Sequence, residues 1–429
     1  MDFRRASWSY ATFDTMPISV PKGFDVLRIR NYRLFWLGQW ISLIGTWMQS
    51  VTQAWLLTRL TSSPLALGTL GAASSAPLLV LVLVGGLVSD RANRRRVIML
   101  TQALSLLQAA VMAVLTLAGM VQPWQIIALA AVLGAINAFD IPARQGFIVE
   151  LVGPGFLPNA IALNSMGFNV ARVVGPAIGG LLVAAVGEGT CFVINALSYL
   201  AVLWGLWLIP ASIGGDRRGR GRERGALGAG FRYARQRPDL GAVLLLVGVV
   251  SAIGIPYRTF LPAMARNVLG VGAWRYGLLM AAAGVGAGLG GFVQAGMRLG
   301  AAQYRRLLPV GLVGFGLALA AFSLSRNYAA SLCLLAFVGC GGITYFNCSN
   351  TLVQLSVDDE HRGRVMSLYT LMHQGTGTFG SLALGLAANR YGTPAALLGG
   401  AFVCLLAVGV FVARAPAPVA APTELAIAD

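Results

Sequence analysis

Apolar runs long enough to cross about 30 Å of hydrocarbon follow one another along nearly the whole chain, separated by short polar stretches. Twelve such runs are read, at 32–57, 65–88, 97–120, 124–142, 160–186 and 191–209, then at 240–261, 276–294, 307–325, 328–350, 365–388 and 394–412. The pattern predicts an all-α membrane protein with twelve transmembrane helices in two six-helix bundles. Its expected parts are an N-terminal tail (1–30), a first bundle (31–210), an arginine-rich linker (211–239), a second bundle (240–414) and a C-terminal tail (415–429). The first twenty residues carry two arginines but no apolar core of signal-peptide length, so they read as a tail rather than a cleaved leader.

Composition agrees, with 57% hydrophobic and only 11% charged residues among 429. The formal charge of +17 would suit a nucleic-acid partner on a polar domain. Here the basic residues fall instead in short segments between apolar runs, as positive-inside topology requires, and no nucleic-acid partner is expected. If the runs alternate in direction, Arg4, Arg5, Lys22, Arg28, Arg30, the 91–96 cluster, the linker, Arg298, Arg305, Arg306, Arg362 and Arg364 share one side. The other side is left with Arg59, Arg258, Arg266, Arg275, Arg326 and Arg390. Both termini are therefore predicted to be cytoplasmic. Cys191, Cys333, Cys340, Cys348 and Cys404 form neither a disulfide framework nor a Cys-x-x-Cys metal spacing, and no metal site is expected.

A shift of about 205 residues lays Gly175 on Gly380, Gly180 on Gly385, Ala162-Leu163 on Ser367-Leu368 and Gly85-Gly86 on Gly290-Gly291, which predicts duplicated halves. Within the first run Gln39, Ser42, Thr46, Gln49 and Gln53 recur at helical spacing, one polar face that must avoid lipid. It reads as cavity lining, with hydrogen-bond glue between helices as the alternative. Asn137, Arg172 and His373 join the candidate cavity, although a lone histidine in a helix is also a common structural residue. Asp140 is the carboxylate well inside an apolar run and the candidate proton site, or else a structural partner of Arg144. Arg172, about 18 Å into the fifth run, either holds a polar or anionic group of the cargo or is satisfied by backbone and amide neighbours.

Between the second and third runs stands Gly86-Leu87-Val88-Ser89-Asp90-Arg91-Ala92-Asn93-Arg94-Arg95-Arg96. It resembles the Gly-x-Leu-Ala-Asp-Arg-x-Gly-Arg-Arg signature of the major facilitator superfamily, with Val88 for Leu and Asn93 for the second Gly. Both changes are mild, since Asn can enter the left-handed turn conformation. Gly175-Pro176-Ala177-Ile178-Gly179-Gly180 is similar to the Gly-Pro-x-x-Gly-Gly signature in the fifth helix of superfamily exporters, with Ala162 and Ala171 at its upstream glycines. Residues 140–182 and 360–364 resemble the branch of bacterial siderophore exporters and macrolide or tetracycline efflux proteins.

The resemblance implies the major facilitator fold, a substrate cavity between the halves, and a gate of Gly86, Asp90, Arg91, Arg94 and Arg95 that exchanges ion pairs with Arg362 and Arg364 in the 358–364 loop. It implies a proton-coupled exporter, an antiporter of a small amphipathic molecule such as a drug or siderophore, working as a monomer in a bacterial inner membrane and driven by the proton gradient without a cofactor. Arg172 as the one strong charge at mid-membrane suggests a mostly neutral cargo. An importer or narrow metabolite transporter remains the alternative. An embedded enzyme would want a nucleophile with a base or paired carboxylates, and a primary pump a phosphate loop, neither of which the sequence contains. A receptor would want a large extramembrane domain, and the loops are short.

Overall fold

The computed structural model describes residues 22–213, 226–297 and 299–414. The two expected tails therefore lie largely outside the described residues, as do Arg4, Arg5, Arg298 and linker residues 214–225. After a short 3-10 turn, Lys22–Arg28, the first half holds α1 (Arg30–Leu60), α2 (Pro64–Arg91), α3 (Arg94–Leu117), α4 (Pro123–Val186) and α5 (Glu188–Trp207). The linker contributes α6 (Ala226–Gln236). The second half holds α7 (Pro238–Val249), α8 (Tyr257–Ala263), α9 (Ala273–Gly296), α10 (Ala301–Leu324), α11 (Tyr328–Leu355), α12 (Asp359–Thr370), α13 (Thr376–Tyr391) and α14 (Thr393–Arg414). Among the described residues, nine helical segments are long and apolar enough to cross a membrane, with Pro123–Val186 counted once and Pro238–Val268 counted whole.

Local chemistry sets the breaks. The 64-residue α4 is two helices, because Gly153 takes φ 67° and the following Pro154 disfavours a helical residue before it. The first arm continues past Pro142, so the expected end of the fourth run at 142 is too early, and Glu150 sits on this arm. Asn93 does not use the left-handed conformation expected of it. At φ −64° its side chain instead accepts from the Arg96 N–H, an N-cap that starts α3. Gly187 (φ 84°) and Gly392 (φ 85°) separate α4 from α5 and α13 from α14. They are 205 positions apart, so the repeat extends to backbone conformation.

Pro238–Val268 and 359–391 are continuous but irregular, with π-helical turns at Val250–Gly254, Met264–Val268 and Leu371–Gly375. Each half is a bundle in its own right, with α1 and α2 on α4, α3 on α5, and α11 on α9 and α10. The halves meet through α2 on α13 and through the second arm of α4 on α9.

Both seams depend on glycine. A Cβ at Gly68 would stand 2.5 Å from the Ser381 carbonyl and 2.8 Å from Gly385 Cα, and one at Gly180 would stand 2.6 Å from the Ala273 carbonyl and 2.9 Å from Gly277 Cα. No larger residue lets two backbones come so close. Gly180 and Gly385 are the repeat-related pair, so the same device seals both sides of the pseudo-twofold. Ser75 Oγ and Thr378 Oγ1 (2.9 Å), Ser63 Oγ and Asn389 (3.3 Å), and stacked Trp55 and Tyr276 (5.6 Å) continue the seam.

All of these contacts lie between mid-height and the end that carries the α1–α2 turn. Toward the other end, which carries the 91–96 arginines and is called the basic end below, Leu289, Phe292 and Val293 of α9 and Ile161 and Phe168 of α4 are exposed.

Candidate functional site

The polar face of α1 divides among three surroundings. Gln49 is 1% exposed and both ends of its amide are used inside the first half: Nε2 donates to Gln108 Oε1 (3.0 Å) and Oε1 accepts from Asn195 Nδ2 (2.6 Å). Ser198 Oγ donates to Asn195 Oδ1 (3.1 Å), and Gln108 donates to the Leu129 carbonyl (3.1 Å). Gln49 is therefore glue joining α1, α3 and α5, and its expected place in the cavity is corrected, because it is buried inside the first half and does not line the cavity between the halves. Thr46 Oγ1 bonds its own helix at the Ser42 carbonyl (2.8 Å) and lies 3.4 Å from Tyr199 Oη, also within the half. Gln53 is 5% exposed with its Nε2 unpartnered.

Gln39 belongs to a second cluster. Its Oε1 accepts from Arg144 (2.6 Å), and Arg144 forms an ion pair with Asp140 one turn earlier on α4. Asp140 Oδ1 also accepts from Thr101 Oγ1 (2.8 Å) and Gln102 Nε2 (3.0 Å) of α3. The carboxylate is 1% exposed, about two turns in from the basic end of α3. The sequence left Asp140 open between proton carrier and partner of Arg144. The partnership is observed, and Thr101 and Gln102, which no pattern singled out, complete it. Asn137 lies half-buried one turn before Asp140.

At mid-height a small cavity opens between the halves, lined by Trp47 of α1, Arg172 of α4, Arg258 of α8, and Met280, Ala283 and Gly284 of α9. Trp47 stands 17 residues from Arg30 and 13 from Leu60, and Gly284 stands 11 from Ala273 and 12 from Gly296, which fixes the level. Arg258 was expected at the face opposite the basic end. It is inside the Pro238–Val268 segment instead, because that helix continues for ten residues beyond it. The signal was present: Arg258 falls within the apolar run read at 240–261.

His373 lies in the π turn Leu371–Gly375, where Nδ1 is 3.1 Å from Ser251 Oγ in the facing π turn Val250–Gly254, and its ring lies 4.7 Å from Phe346. Single π turns often mark functional positions. A wider cleft of about 310 Å³, lined by Gln294, Tyr304, Phe346, Asn347 and Asn350 among others, indents the second half toward the basic end.

The loop motif forms a compact ionic knot in the first half. Arg94 reaches Glu150 (2.8 Å) and Asp90 (3.5 Å) and donates to the Ser89 carbonyl, while Arg95 Nε donates to the Leu206 carbonyl (2.9 Å). Gly86 is half-buried and Arg91 exposed. In the second half, Tyr233 of α6 donates to Asp358 (2.9 Å), stacks on His361 (4.5 Å) and lies under Arg237, so the linker helix docks on the first turn of α12; the expected 358–364 loop is helical, and Arg362 and Arg364 stand on it. In the fifth-helix motif a Cβ at Gly175 would meet Trp47 Cβ at 2.6 Å, Gly179 faces Met48, and the Pro176 carbonyl and Gly180 press on Gly277. One face of the motif thus packs on α1 and the other closes the seam between the halves.

Comparison with known proteins agrees with this architecture. The family described as transmembrane secretion effector matches residues 22–426. The chain belongs to that family of major facilitator transporters. It is a multi-pass membrane transporter and not an enzyme.

Among curated relatives, the staphyloferrin A transporter of Staphylococcus aureus (strain NCTC 8325 / PS 47) is 22% identical over 394 residues, covering 89% of this chain and 96% of the relative. Enterobactin exporter EntS of Shigella boydii serotype 18 is 25% identical over 390 residues, covering 88% and 90%. Among solved structures, the nucleoside transporter NupG superposes with a TM-score of 0.72 at 12% identity, covering 89% of this chain and 98% of that one. A bacterial homologue of the human lysosomal transporter Spinster gives 0.69 at 18% identity, covering 89% and 96%. These likenesses establish the fold, while the family match establishes transport.

Proposed function

We propose that the protein is a proton-coupled exporter that carries a small amphipathic molecule out of the cytoplasm by alternating access, as a monomer in a bacterial inner membrane with twelve spans. The observation that carries the reading is the mid-height cavity: both halves line it, and the seams that close it lie on one side only. With the basic end at the cytoplasm, as the positive-inside rule places it, this arrangement is the state open inward, ready to load. The two relatives that transport siderophores support export of a molecule of that kind.

Asp140 is the proposed proton site. Protonation would remove the charge that holds Arg144, and so free the Arg144–Gln39 contact between α4 and α1 to rearrange. The ionic knot at Asp90, Arg94 and Glu150, with the first turns of α12 that carry Arg362 and Arg364, forms the cytoplasmic gate that must re-pair when the halves close.

The test is fluorescence of a pH-sensing acridine in everted vesicles energised to acidify the lumen, with siderophores, dyes and antibiotics added in turn. The proposal expects release of the gradient by a transported compound, and loss of that release in Asp140→Asn vesicles that hold a normal amount of folded protein. Release that survives Asp140→Asn would make the carboxylate purely structural, and flux of a substrate with no proton movement would exclude antiport.

A further inference from the structure

Two guanidiniums face one cavity from opposite halves with no acid to balance them. Among the described residues the ion pairs involve Arg28, Arg59, Arg94 and Arg144, and no carboxylate stands within ion-pair distance of Arg172 or Arg258. Arg258 has a marginal contact, Nε donating to Tyr257 Oη at 3.5 Å, with its guanidinium 5.8 Å above the same ring. Two cations that line one small cavity repel one another. A half-buried like-charge pair inside a membrane is costly and persists only where something negative visits it.

We propose that Arg172 and Arg258 together form a carboxylate-binding clamp that grips one end of the transported molecule; that the ligand is cargo rests on the exporter reading above. A guanidinium presents a planar fork of donors matched to a carboxylate, so one carboxylate between two forks neutralises both and joins the halves. The free space there is about 10 Å³, the size of a single water-like group. The clamp therefore takes the anionic tip of a ligand, not its body. Trp47, Met280 and Ala283 supply the apolar wall beside the tip. The cargo class is thus an amphipathic carboxylate, in place of the mostly neutral molecule that Arg172 alone suggested. Because the clamp spans the seam, an empty site pushes the halves apart and an occupied one draws them together, which makes loading favour the change of state.

The probes are 4-phenylbutyrate and its neutral isostere 4-phenylbutyramide, titrated into the purified full chain in phosphatidylcholine nanodiscs by calorimetry. The expected result is saturable binding of the acid, at least about tenfold stronger than the amide, consistent with charge-assisted contacts. Arg172→Gln and Arg258→Gln should each weaken the acid by about tenfold, and the double variant by much less than the product, because either loss opens the clamp. Arg172→Lys and Arg258→Lys guard against misfolding and should retain part of the binding.

Equal affinity for acid and amide, no saturable binding of the acid, or unchanged affinity in both glutamine variants that melt like wild type would overturn the proposal. So would competition by added phosphatidylglycerol, which would assign the pair to a lipid headgroup. The exporter reading fails separately: vesicles that show no flux leave the calorimetric result standing, and intact flux with no carboxylate preference removes the clamp alone.

Discussion

Two sets of buried polar residues sit within a few turns of each other and obey opposite rules. In the first half Asp140, Arg144, Gln39, Thr101 and Gln102 pair with one another, with Gln39 Nε2, Gln102 Oε1 and Arg144 Nε left over, and Gln49, Gln108 and Asn195 bond among themselves. At the seam, Arg172 and Arg258 share a cavity with each other and with no carboxylate. A transporter must hold each half rigid while letting the halves move, and the difference follows from that need. Side-chain networks with opposite charges paired tie the helices of one half together. An open pair at the boundary is completed only by what the protein carries.

The largest break in this contrast is Asp140→Asn, which strands Arg144 in the interior. Loss of one partner of a buried ion pair costs roughly 3–5 kcal/mol, so thermal unfolding in detergent should fall sharply, and Asp140→Asn combined with Arg144→Gln should recover most of the loss. Next is Gly180→Val, whose side chain would collide with the Ala273 carbonyl and Gly277. Overpacking of roughly 1–3 kcal/mol at a seam between halves should abolish flux and leave each bundle folded, as read by vesicle transport beside circular dichroism. Gln49→Leu leaves Gln108 and Asn195 with unsatisfied groups and should lower stability by about 1–3 kcal/mol in the same melt. Arg258→Gln should have the smallest effect and the opposite sign, a gain of about 1 kcal/mol or less, since it removes a repelling charge. A large loss in that variant would show that Arg258 is bonded as tightly as Arg144 and would end the contrast.

Much of this was legible in the sequence because the signals are one-dimensional. Hydrophobic run length gives helices, clustered arginines give the basic end, and the 205-residue repeat gives the halves, down to Gly187 and Gly392. What pairing adds is three-dimensional. The period of α1 shows that Gln39, Gln49 and Gln53 share a face, but which neighbour each one meets depends on α3, α4 and α5, so Gln49 reads equally well as cavity or as glue. Arg258 was displaced by a rule that counts charges at span ends, although its own run extends past it. Pro142 was taken as a helix end where the helix continues, a position membrane helices tolerate. Gly153 with Pro154, eleven residues later, makes the true break.

The central claim is that the halves must part at the glycine seams for transport to occur. The direct test is a disulfide across the α2–α13 seam, Ser75→Cys with Thr378→Cys, whose hydroxyl oxygens stand 2.9 Å apart, in a background where Cys333, the exposed native cysteine, is serine. Substrate-driven proton release in everted vesicles is then followed before and after oxidation. The account predicts that oxidation stops release and that reductant restores it. Full release from vesicles in which the cross-link is complete would contradict it.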